Sequence, residues 1–316
     1  MPRKESNIVV RGNEVFLRIC NSQSKDDWYF YDQTKKPLGA GAMGTVYQGR
    51  SCTRHELVAI KSVKERYANI PAIRERAHLE ADMAFRHHNL IEMLGYCEND
   101  HDSGPIFIIS RLIQGVPLNK YVEIFKNKPD RVERICKCAF PVMDALTYLH
   151  EKNIIHMDIK PSNIMVENSS NIRLMDLGIA YTFGAISPVN GGLLGTPGYA
   201  APEQYVEKGQ TELSVGTTTD IYELGATIYE LLSGHKPYDK DKDRLDWIAG
   251  VPRSVMQVIG KSLKHDQSER YQTAAEFKAA LQQALLKPTS AIPKWVIPVA
   301  VGIGAALILT LILLFV

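Results

Sequence analysis

The chain has 316 residues, of which 45% are hydrophobic and 23% are charged. This composition is close to that of globular domains, so a wholly disordered chain is excluded, and the length allows one large or two ordinary domains. The 37 Lys and Arg side chains against 35 Asp and Glu leave a formal net charge of +2, which is too balanced for a protein that binds nucleic acid through bulk charge. Five scattered cysteines argue against a disulfide framework and favour a reducing compartment.

The first part of the chain is predicted to form mainly strands. Residues 1–30 alternate weakly between apolar and polar side chains, which indicates a small strand pair ahead of the main fold. Between residues 36 and 110, two extended runs flank a glycine-rich sequence, and the segments ELVAIKSV and IFIISRLI have the composition of strands. One helix is expected in this region, over residues 72–85, where polar and apolar residues follow helical spacing.

After about residue 112 the pattern turns helical. Helices are expected over residues 132–151 and 273–286, and a third is expected to follow Thr219 and to end at a glycine cap, Gly234. Strands first and helices afterwards predict an α+β chain in two lobes that are joined near residue 112.

The last 22 residues, 295–316, carry no charged side chain. A helix rises ~1.5 Å per residue, so this segment would be about 33 Å long, against a hydrocarbon core of roughly 30 Å. Lys287 and Lys294 lie just before it, which keeps the preceding residues in the cytoplasm under the positive-inside rule. We therefore expect a tail-anchored protein that contacts the lipid bilayer through this helix, with no domain beyond it. The oligomeric state stays open, because the small residues at 302–305 lack the G-x-x-x-G spacing that favours helix pairing.

A glycine-rich sequence, GAGAMGTV, occupies residues 39–46. The same glycines occur in dinucleotide-binding folds, where they open a helix, but the residues that follow here are predicted to form a strand. We therefore expect a glycine loop that lies between two strands and covers phosphates. Lys61 ends the sequence VAIK, 17 residues after Gly44. A lysine at a strand end is usually solvated, but this distance from a glycine loop favours a phosphate contact.

The strongest chemical signal is the sequence HMDIKPSN at residues 156–163, which is followed by Asp176 13 residues after Asn163. Two acids and an amide in one ordered string, flanked by apolar runs, suit phosphoryl transfer, in which the protein positions groups and neutralises charge. Asp158 would accept the hydrogen bond of the attacking hydroxyl, and Lys160 would steady the transferring phosphate. Asn163 and Asp176 would hold two Mg²⁺ ions, because hard oxygen ligands suit this metal.

These motifs, in this order and at this spacing, resemble the signature set of the eukaryotic-type protein kinases. The resemblance covers residues 33–286 and includes GTPGYAAPE at 195–203, which is similar to the end of the activation segment. It implies the bilobal protein-kinase fold, with a β-rich N-lobe and helix C up to about residue 111 and a helical C-lobe from about residue 112. The remaining chain divides into an N-terminal extension (1–32), a linker (287–294) and the transmembrane helix (295–316).

The resemblance also assigns roles to single residues. Glu80 would be the helix C glutamate that pairs with Lys61, although counting back from HHNLIEMLG places His78 in that position, and Glu75 is a further substitute. Asp220 and Gly225 would anchor the catalytic loop, and Arg270 would pair with Glu203. Ser110 would be the gatekeeper, the backbone of Arg111 and of Ile113 would face adenine, and apolar side chains would sandwich the base. The implied nucleotide-binding residues are Leu38, Gly39, Ala40, Gly41, Ala42, Met43, Gly44, Thr45, Val46, Ala59, Lys61, Ser110, Arg111, Ile113, Met165 and Asp176.

The resemblance implies an ATP- and Mg²⁺-dependent kinase, and Lys160 together with GTPGY is similar to the branch that phosphorylates Ser and Thr of proteins. A membrane-anchored nucleotide-binding scaffold without activity and a small-molecule phosphotransferase are the alternatives. The predicted anchor and short linker resemble bacterial kinases of the inner membrane, and a eukaryotic organelle anchor stays open.

Three departures from the family pattern stand out. Leu177 replaces the usual Phe of D-F-G, and residues 207–219 look like a polar surface insertion. Met157 replaces the usual Arg of H-R-D, so it cannot bind a phosphorylated activation segment through charge. We expect the segment to be held by packing and the protein to be active as translated.

Overall fold

The computed structural model describes residues 6–20, 27–41, 44–69, 71, 74–75, 78, 85–101, 103–168, 171–176, 181–182, 192–206, 208, 214–237 and 245–286. Within these residues the chain folds into a β-rich N-lobe followed by a helical C-lobe, as the order of strand and helix patterns predicts.

The N-lobe is an antiparallel sheet in which eight strands of the described residues take part. The strands are β1 (Ile8–Arg11), β2 (Glu14–Arg18), β3 (Trp28–Asp32), β4 (Gly39–Ala40), β5 (Gly44–Ser51), β6 (Leu57–Val63), β7 (Met93–Glu98) and β8 (Ile106–Arg111). Their order across the sheet is β1-β2-β3-β5-β6-β8-β7, and β4 pairs with β5. The predicted strand pair near the N-terminus is confirmed as β1 and β2, and it extends the sheet because β2 also pairs with β3.

A helical segment lies between β6 and β7. Helix α1 (Glu65–Ala68) is a single turn, and the described residues between 71 and 78 are also helical. Arg74 is 3% exposed and donates hydrogen bonds to the carbonyls of Ala68, Asp100, His101 and Gly104, so this segment is tied to the turn between β7 and β8. The predicted helix is therefore present, but it ends before Phe85, which is not helical.

The described C-lobe is mainly helical. Its helices are α2 (Leu118–Tyr121), α3 (Arg131–His150), α4 (Thr217–Ser233), α5 (Arg253–Ser262) and α6 (Ala274–Leu286), with 3₁₀ turns at Val122–Phe125, Pro161–Asn163, Pro202–Gln204 and Gln267–Glu269. Its short strands are β9 (Gly115–Pro117), β10 (Ile154–Ile155), β11 (Ile164–Glu167), β12 (Asn171–Leu174), β13 (Tyr181–Thr182), β14 (Gly192–Leu193) and β15 (Tyr205–Val206). The three predicted C-lobe helices are confirmed within one residue at each described end, except that α4 begins at Thr217, three residues before the predicted start.

The central helix of the C-lobe is α4, which is buried along most of its length. It ends at Gly234, whose φ of 85° is a left-handed conformation that glycine adopts without strain. Gly225 lies where α4 crosses α5, and a Cβ atom there would lie 2.0 Å from Ser262 Oγ. Gly225 therefore allows the close approach of two helices, and its role in anchoring the catalytic loop stays a prediction.

The predicted linker and transmembrane helix lie outside the described residues. Among the helices that the structure describes, none is both long enough and apolar enough to cross a bilayer.

Candidate active site

The glycine-rich sequence forms a turn between two strands, as predicted. The Leu38 N–H donates to the Val46 carbonyl at 2.8 Å, and the Gly41 N–H donates to the Gly44 carbonyl at 2.9 Å. A Cβ atom at Gly44 would lie 2.7 Å from the Ser62 carbonyl oxygen, so only glycine fits where β5 leaves the loop. The loop thus has no side chain at this point that would keep a phosphate away from the backbone. Ala42 and Met43, at its tip, lie outside the described residues.

The strand register brings the predicted adenine-side residues to one region of the N-lobe. On neighbouring strands Val46 faces Lys61, and Ala59 faces Ser110. Residues two apart on a strand share a face, so Ala59 and Lys61 point the same way. Ala59 is only 9% exposed, whereas Leu38, one residue before β4, is 51% exposed.

The floor of this region comes from the C-lobe. Met165 lies on β11, faces Pro117 on β9, and packs against the apolar cluster that contains Ile113. Arg111 is exposed at the end of β8, and Ile113 is buried. Ile113 and Met165 of the predicted adenine set therefore pack together where the N-lobe strands meet the C-lobe, and the role of the set stays a prediction.

Asp158 lies at the centre of the catalytic loop, with 6% of its surface exposed. Its Oδ2 accepts hydrogen bonds from Lys160 Nζ at 2.7 Å and from Asn163 Nδ2 at 3.0 Å. Its Oδ1 accepts a hydrogen bond from Thr196 Oγ1 at 2.5 Å, and Lys160 Nζ also donates to this hydroxyl at 2.7 Å. Thr196, from the sequence GTPGYAAPE at 195–203, therefore contacts both Asp158 and Lys160.

Asp220 on α4 accepts two hydrogen bonds from the backbone of the catalytic loop. Asp220 Oδ2 accepts the N–H of His156 at 2.9 Å, and Oδ1 accepts the N–H of Met157 at 2.9 Å. These bonds hold Met157 at a φ of 64°, a left-handed conformation that is uncommon for a side chain other than glycine. The predicted anchoring role of Asp220 is therefore supported by geometry.

Glu223 and Gln204 also support the loop, and sequence reasoning missed both. Glu223 is fully buried, and its Oε2 accepts the N–H of Ile159 at 2.8 Å. Burial and the nearby carboxylate of Asp220 raise the pKa of Glu223 well above its usual value. Gln204 donates from Nε2 to the carbonyls of Met157 and Leu194, so it links the loop to the activation segment. The sequence did contain a signal for Glu223. It lies three residues after Asp220 on a predicted helix, so both side chains are on the helix face that was expected to anchor the loop.

Lys61 and Asp176 meet across the two lobes. Lys61 Nζ lies 2.5 Å from Asp176 Oδ1, and this positive charge lowers the pKa of Asp176. Asp176 follows Met175, whose N–H donates to the Asn163 carbonyl at 2.8 Å, so the two predicted metal ligands lie on neighbouring segments. A carboxylate and an amide oxygen are hard donors that suit Mg²⁺. The residues present therefore fit the metal that the sequence predicts.

The helix C glutamate stays a prediction. Glu80 lies outside the described residues, and Glu75 is exposed. His78, the other residue considered for the glutamate position, lies 2.9 Å from Glu98 on β7 through its Nε2 atom. Glu98 also accepts from Arg74 at 2.5 Å, so His78 takes part in a buried polar cluster with residues of β7.

The end of the activation segment is fixed by a buried ion pair. Arg270 donates from Nη1 and Nη2 to the two carboxylate oxygens of Glu203, at 2.7 and 2.9 Å. Both side chains are almost fully buried. The predicted pairing of Arg270 with Glu203 is confirmed. Leu177 lies outside the described residues, as do residues 207 and 209–213 of the predicted surface insertion 207–219. The end of that stretch is not at the surface, because Val215, Thr218 and Thr219 are buried and α4 begins at Thr217.

Met157 is buried at 1% exposure and packs in an apolar cluster with Ile155 and Val215, against which Leu194 of the activation segment also packs. The basic residue Arg173 contacts Glu167 and the Leu90 carbonyl. The apolar environment of Met157 matches the expectation from the sequence.

Comparison with known proteins agrees with this geometry. The profile of the protein kinase domain family matches residues 32–290. The chain therefore belongs to the protein kinase domain family, and it resembles bacterial Ser/Thr kinases of the eukaryotic type.

Two curated relatives illustrate the resemblance. The serine/threonine-protein kinase PrkC of Bacillus subtilis is 28% identical over 269 residues, which cover 80% of this chain and 40% of the relative. The serine/threonine-protein kinase PknB of Mycolicibacterium smegmatis is 30% identical over 264 residues, which cover 77% of this chain and 41% of the relative. The chain thus spans about two fifths of the length of these relatives.

A solved structure shows the same fold. The crystal structure of the PknI kinase domain of Mycobacterium tuberculosis superposes with a TM-score of 0.62 at 20% identity, and it covers 89% of this chain and 100% of the PknI chain.

Proposed function

We propose that this chain is a Ser/Thr protein kinase that transfers the γ-phosphoryl group of ATP to a hydroxyl of a protein substrate. The observation that carries the proposal is the contact of Asp158 Oδ1 with the hydroxyl of Thr196, at 2.5 Å. A buried carboxylate that accepts a hydrogen bond from an alcohol has the geometry that a general base needs toward an acceptor hydroxyl. Thr196 belongs to the chain itself and is not the substrate, but its hydroxyl lies where the hydroxyl of a substrate would contact Asp158.

Lys160 and Asn163 complete this arrangement. Lys160 Nζ bonds both the carboxylate and the hydroxyl, so its positive charge lies where negative charge develops during transfer. Asn163 Nδ2 donates to Asp158 and fixes the orientation of the carboxylate. We infer that Asp158 orients the attacking hydroxyl and takes its proton, while Lys160 stabilises the transferring group.

The nucleotide would lie between the glycine loop and β11. Leu38, Val46, Ala59 and Met165 offer apolar surface to a base, and the segment from Ser110 to Ile113 offers backbone groups. Lys61 lies at the inner end of this surface, where a phosphate would meet its charge. Asn163 and Asp176 would hold Mg²⁺, which when bound would neutralise charge on the phosphates. Glu80 is proposed as the helix C partner of Lys61.

We further propose that the chain is of the non-RD type, in which activity does not require phosphorylation of the activation segment. Met157 has no donor and no charge, so it cannot bind a phosphate group. The support is its apolar contact with Val215 and Leu194, which holds the segment through packing.

The location at a membrane is also a proposal. Residues 295–316 are apolar enough and long enough to cross a bilayer, and Lys287 and Lys294 favour a kinase domain on the cytoplasmic side. After a wash at high salt or alkaline pH the full chain should stay in the membrane fraction, because apolar burial is not screened by ions. Release by either wash would contradict a spanning segment.

A transfer assay with radiolabelled ATP and a generic protein substrate tests the activity. The parent chain should label Ser and Thr, and Asp158→Asn should still bind ATP yet lose nearly all transfer. Asp130→Asn is the matched control, since Asp130 forms an exposed ion pair with Arg134. If the parent bound ATP without labelling any protein, the chain would instead be a nucleotide-binding scaffold.

A further inference from the structure

Two cysteines meet where the N-terminal strand pair joins the rest of the N-lobe. Cys20 follows β2, and its N–H donates to the Tyr96 carbonyl on β7 at 2.8 Å. Cys97 is the next residue on β7 and is fully buried, whereas Cys20 is partly exposed. The two residues are therefore adjacent in space although the chain between them forms most of the sheet.

Asn7 contacts both sulfur atoms. Cys97 Sγ donates to the Asn7 carbonyl at 3.2 Å, and Asn7 Nδ2 donates to Cys20 Sγ at 3.3 Å. The backbone N–H of Glu98 donates to Cys20 Sγ at 3.4 Å. The two thiols are close enough for each to change the pKa of the other. Cys20 Sγ thus accepts from two donors, Asn7 Nδ2 and the Glu98 N–H, which stabilise a thiolate, and the protonated thiol can donate to the Glu98 carbonyl at 3.4 Å.

The electrostatics of the pair are asymmetric. The hydrogen bond from Cys97 lowers the pKa of Cys20 to about 7 despite the opposing effect of burial. The same contact, together with desolvation, raises the pKa of Cys97 far above its usual value. A thiolate is the reactive form of cysteine, so Cys20 is the nucleophile and Cys97 the neighbouring thiol that attacks second.

We propose that Cys20 and Cys97 form a reversible disulfide when the protein meets a peroxide. In the first step the Cys20 thiolate attacks one peroxide oxygen, the O–O bond breaks, and the leaving hydroxide takes a proton to give water and a sulfenic acid at Cys20. In the second step the Cys97 sulfur attacks the Cys20 sulfur, and the hydroxyl leaves with the Cys97 proton as a second water. Both thiols are oxidised by one electron each, and hydrogen peroxide is reduced by two.

The remaining cysteines provide internal controls. Cys136 and Cys138 lie in the core of α3, where burial raises the pKa of their thiols to about 12 and about 11. Cys52 is partly exposed like Cys20, but burial raises the pKa of its thiol. Exposure alone therefore predicts reaction of Cys52 as readily as of Cys20, whereas the cluster predicts selective pairing of Cys20 with Cys97.

The test uses the full chain, reduced and then titrated with hydrogen peroxide, with thiols counted after denaturation and unreduced digests analysed by mass spectrometry. We expect a loss of two of the five thiols, a linked peptide that joins Cys20 to Cys97, and full recovery with dithiothreitol. Cys52→Ser should lose the same two thiols. Cys20→Ser, at the partly exposed position, should lose none at the same dose. Cys97→Ser should leave a sulfenic acid at Cys20 that dimedone traps.

Two results would overturn the proposal. One is a parent protein in which Cys20 is oxidised to sulfinic acid without a linked peptide. The other is equal thiol loss in the parent and in Cys20→Ser, which would place the reaction at other cysteines.

Discussion

Lys61 Nζ and Asp176 Oδ1 lie 2.5 Å apart, so an ammonium group of the N-lobe sheet pairs directly with a carboxylate at the end of a C-lobe strand. The two residues are 115 positions apart in the sequence. Lys61 is held by β6 between two neighbouring strands, and Asp176 is held at a φ of 57°, a left-handed conformation. This pair connects the glycine-loop strands to the predicted metal-binding acid.

Lys61→Met should lower kcat/KM for a protein substrate by about a hundredfold or more, because the variant loses the charge that meets the phosphates. Steady-state kinetics with ATP as the varied substrate would measure this. Lys137→Met is the control, since Lys137 forms an exposed pair with Glu133 within α3 and should leave the rate unchanged. Equal activity of Lys61→Met and the parent would contradict the assigned role.

The same pair predicts a pH dependence of stability. Because Lys61 lowers the pKa of Asp176 below its usual value of 3.8, Asp176 binds protons less readily in the folded state than in the unfolded state. The stabilisation is therefore present above pH ~4 and is lost as pH falls through the lowered pKa. The difference in Tm between the parent and Lys61→Met should be constant from pH 8 to about pH 5 and should shrink below that range. A Tm difference that grows as pH falls would contradict a lowered pKa of Asp176 in the folded state.

The ion pair of Glu203 with Arg270 should matter more for stability than any exposed pair. Glu203→Ala leaves a buried guanidinium without its carboxylate, a loss that typically costs about 3–5 kcal/mol. Urea unfolding would measure the change, and Asp130→Ala, which removes an exposed pair with Arg134, should cost less than ~1 kcal/mol. A loss below ~1 kcal/mol in Glu203→Ala would mean that the pair does not hold the segment.

The packing of Met157 predicts independence from activation-segment phosphorylation. Outside residues 195–203, the activation segment has two candidate sites of phosphorylation. They are Thr182, whose backbone pairs with Ile154, and Ser187, which lies outside the described residues. Thr182→Ala/Ser187→Ala should change kcat/KM by less than about fivefold, which corresponds to under ~1 kcal/mol. A loss of about a hundredfold, or the same loss after phosphatase treatment of the parent, would show that phosphorylation controls the enzyme.

The sequence predicted those parts of the candidate site whose residues lie close together in short motifs. The catalytic string at 156–163 and the glycine loop could be identified because their spacing is set by local backbone geometry, whereas the pairing of Arg270 with Glu203, 67 residues apart, was implied only by the resemblance to protein kinases. Packing partners at long range could not be identified in this way. The bond of Glu223 to Ile159 and the links from Gln204 depend on how α4 and the activation segment meet in space, which no local pattern records.

The helix between β6 and β7 shows the limit most clearly. Periodicity predicted a helix in the correct region, but the predicted helix extends to Phe85, which is not helical. Periodicity also gave no register for the glutamate that should meet Lys61. The contact of His78 with Glu98 arises from the neighbouring hairpin, and its partner is 20 residues away along the chain.

The most direct test of the proposed mechanism is single-turnover phosphoryl transfer from a preformed ATP complex, compared between the parent and Asp158→Asn. The variant removes the group that orients and deprotonates the hydroxyl, while the nucleotide surface, Lys61 and Asp176 remain in place. We predict that the Kd for ATP changes by less than about threefold and that the transfer rate falls by about 10²–10⁴, the range expected for loss of a general base. A transfer rate equal to that of the parent, with ATP bound, would contradict the assignment of Asp158 as the catalytic base.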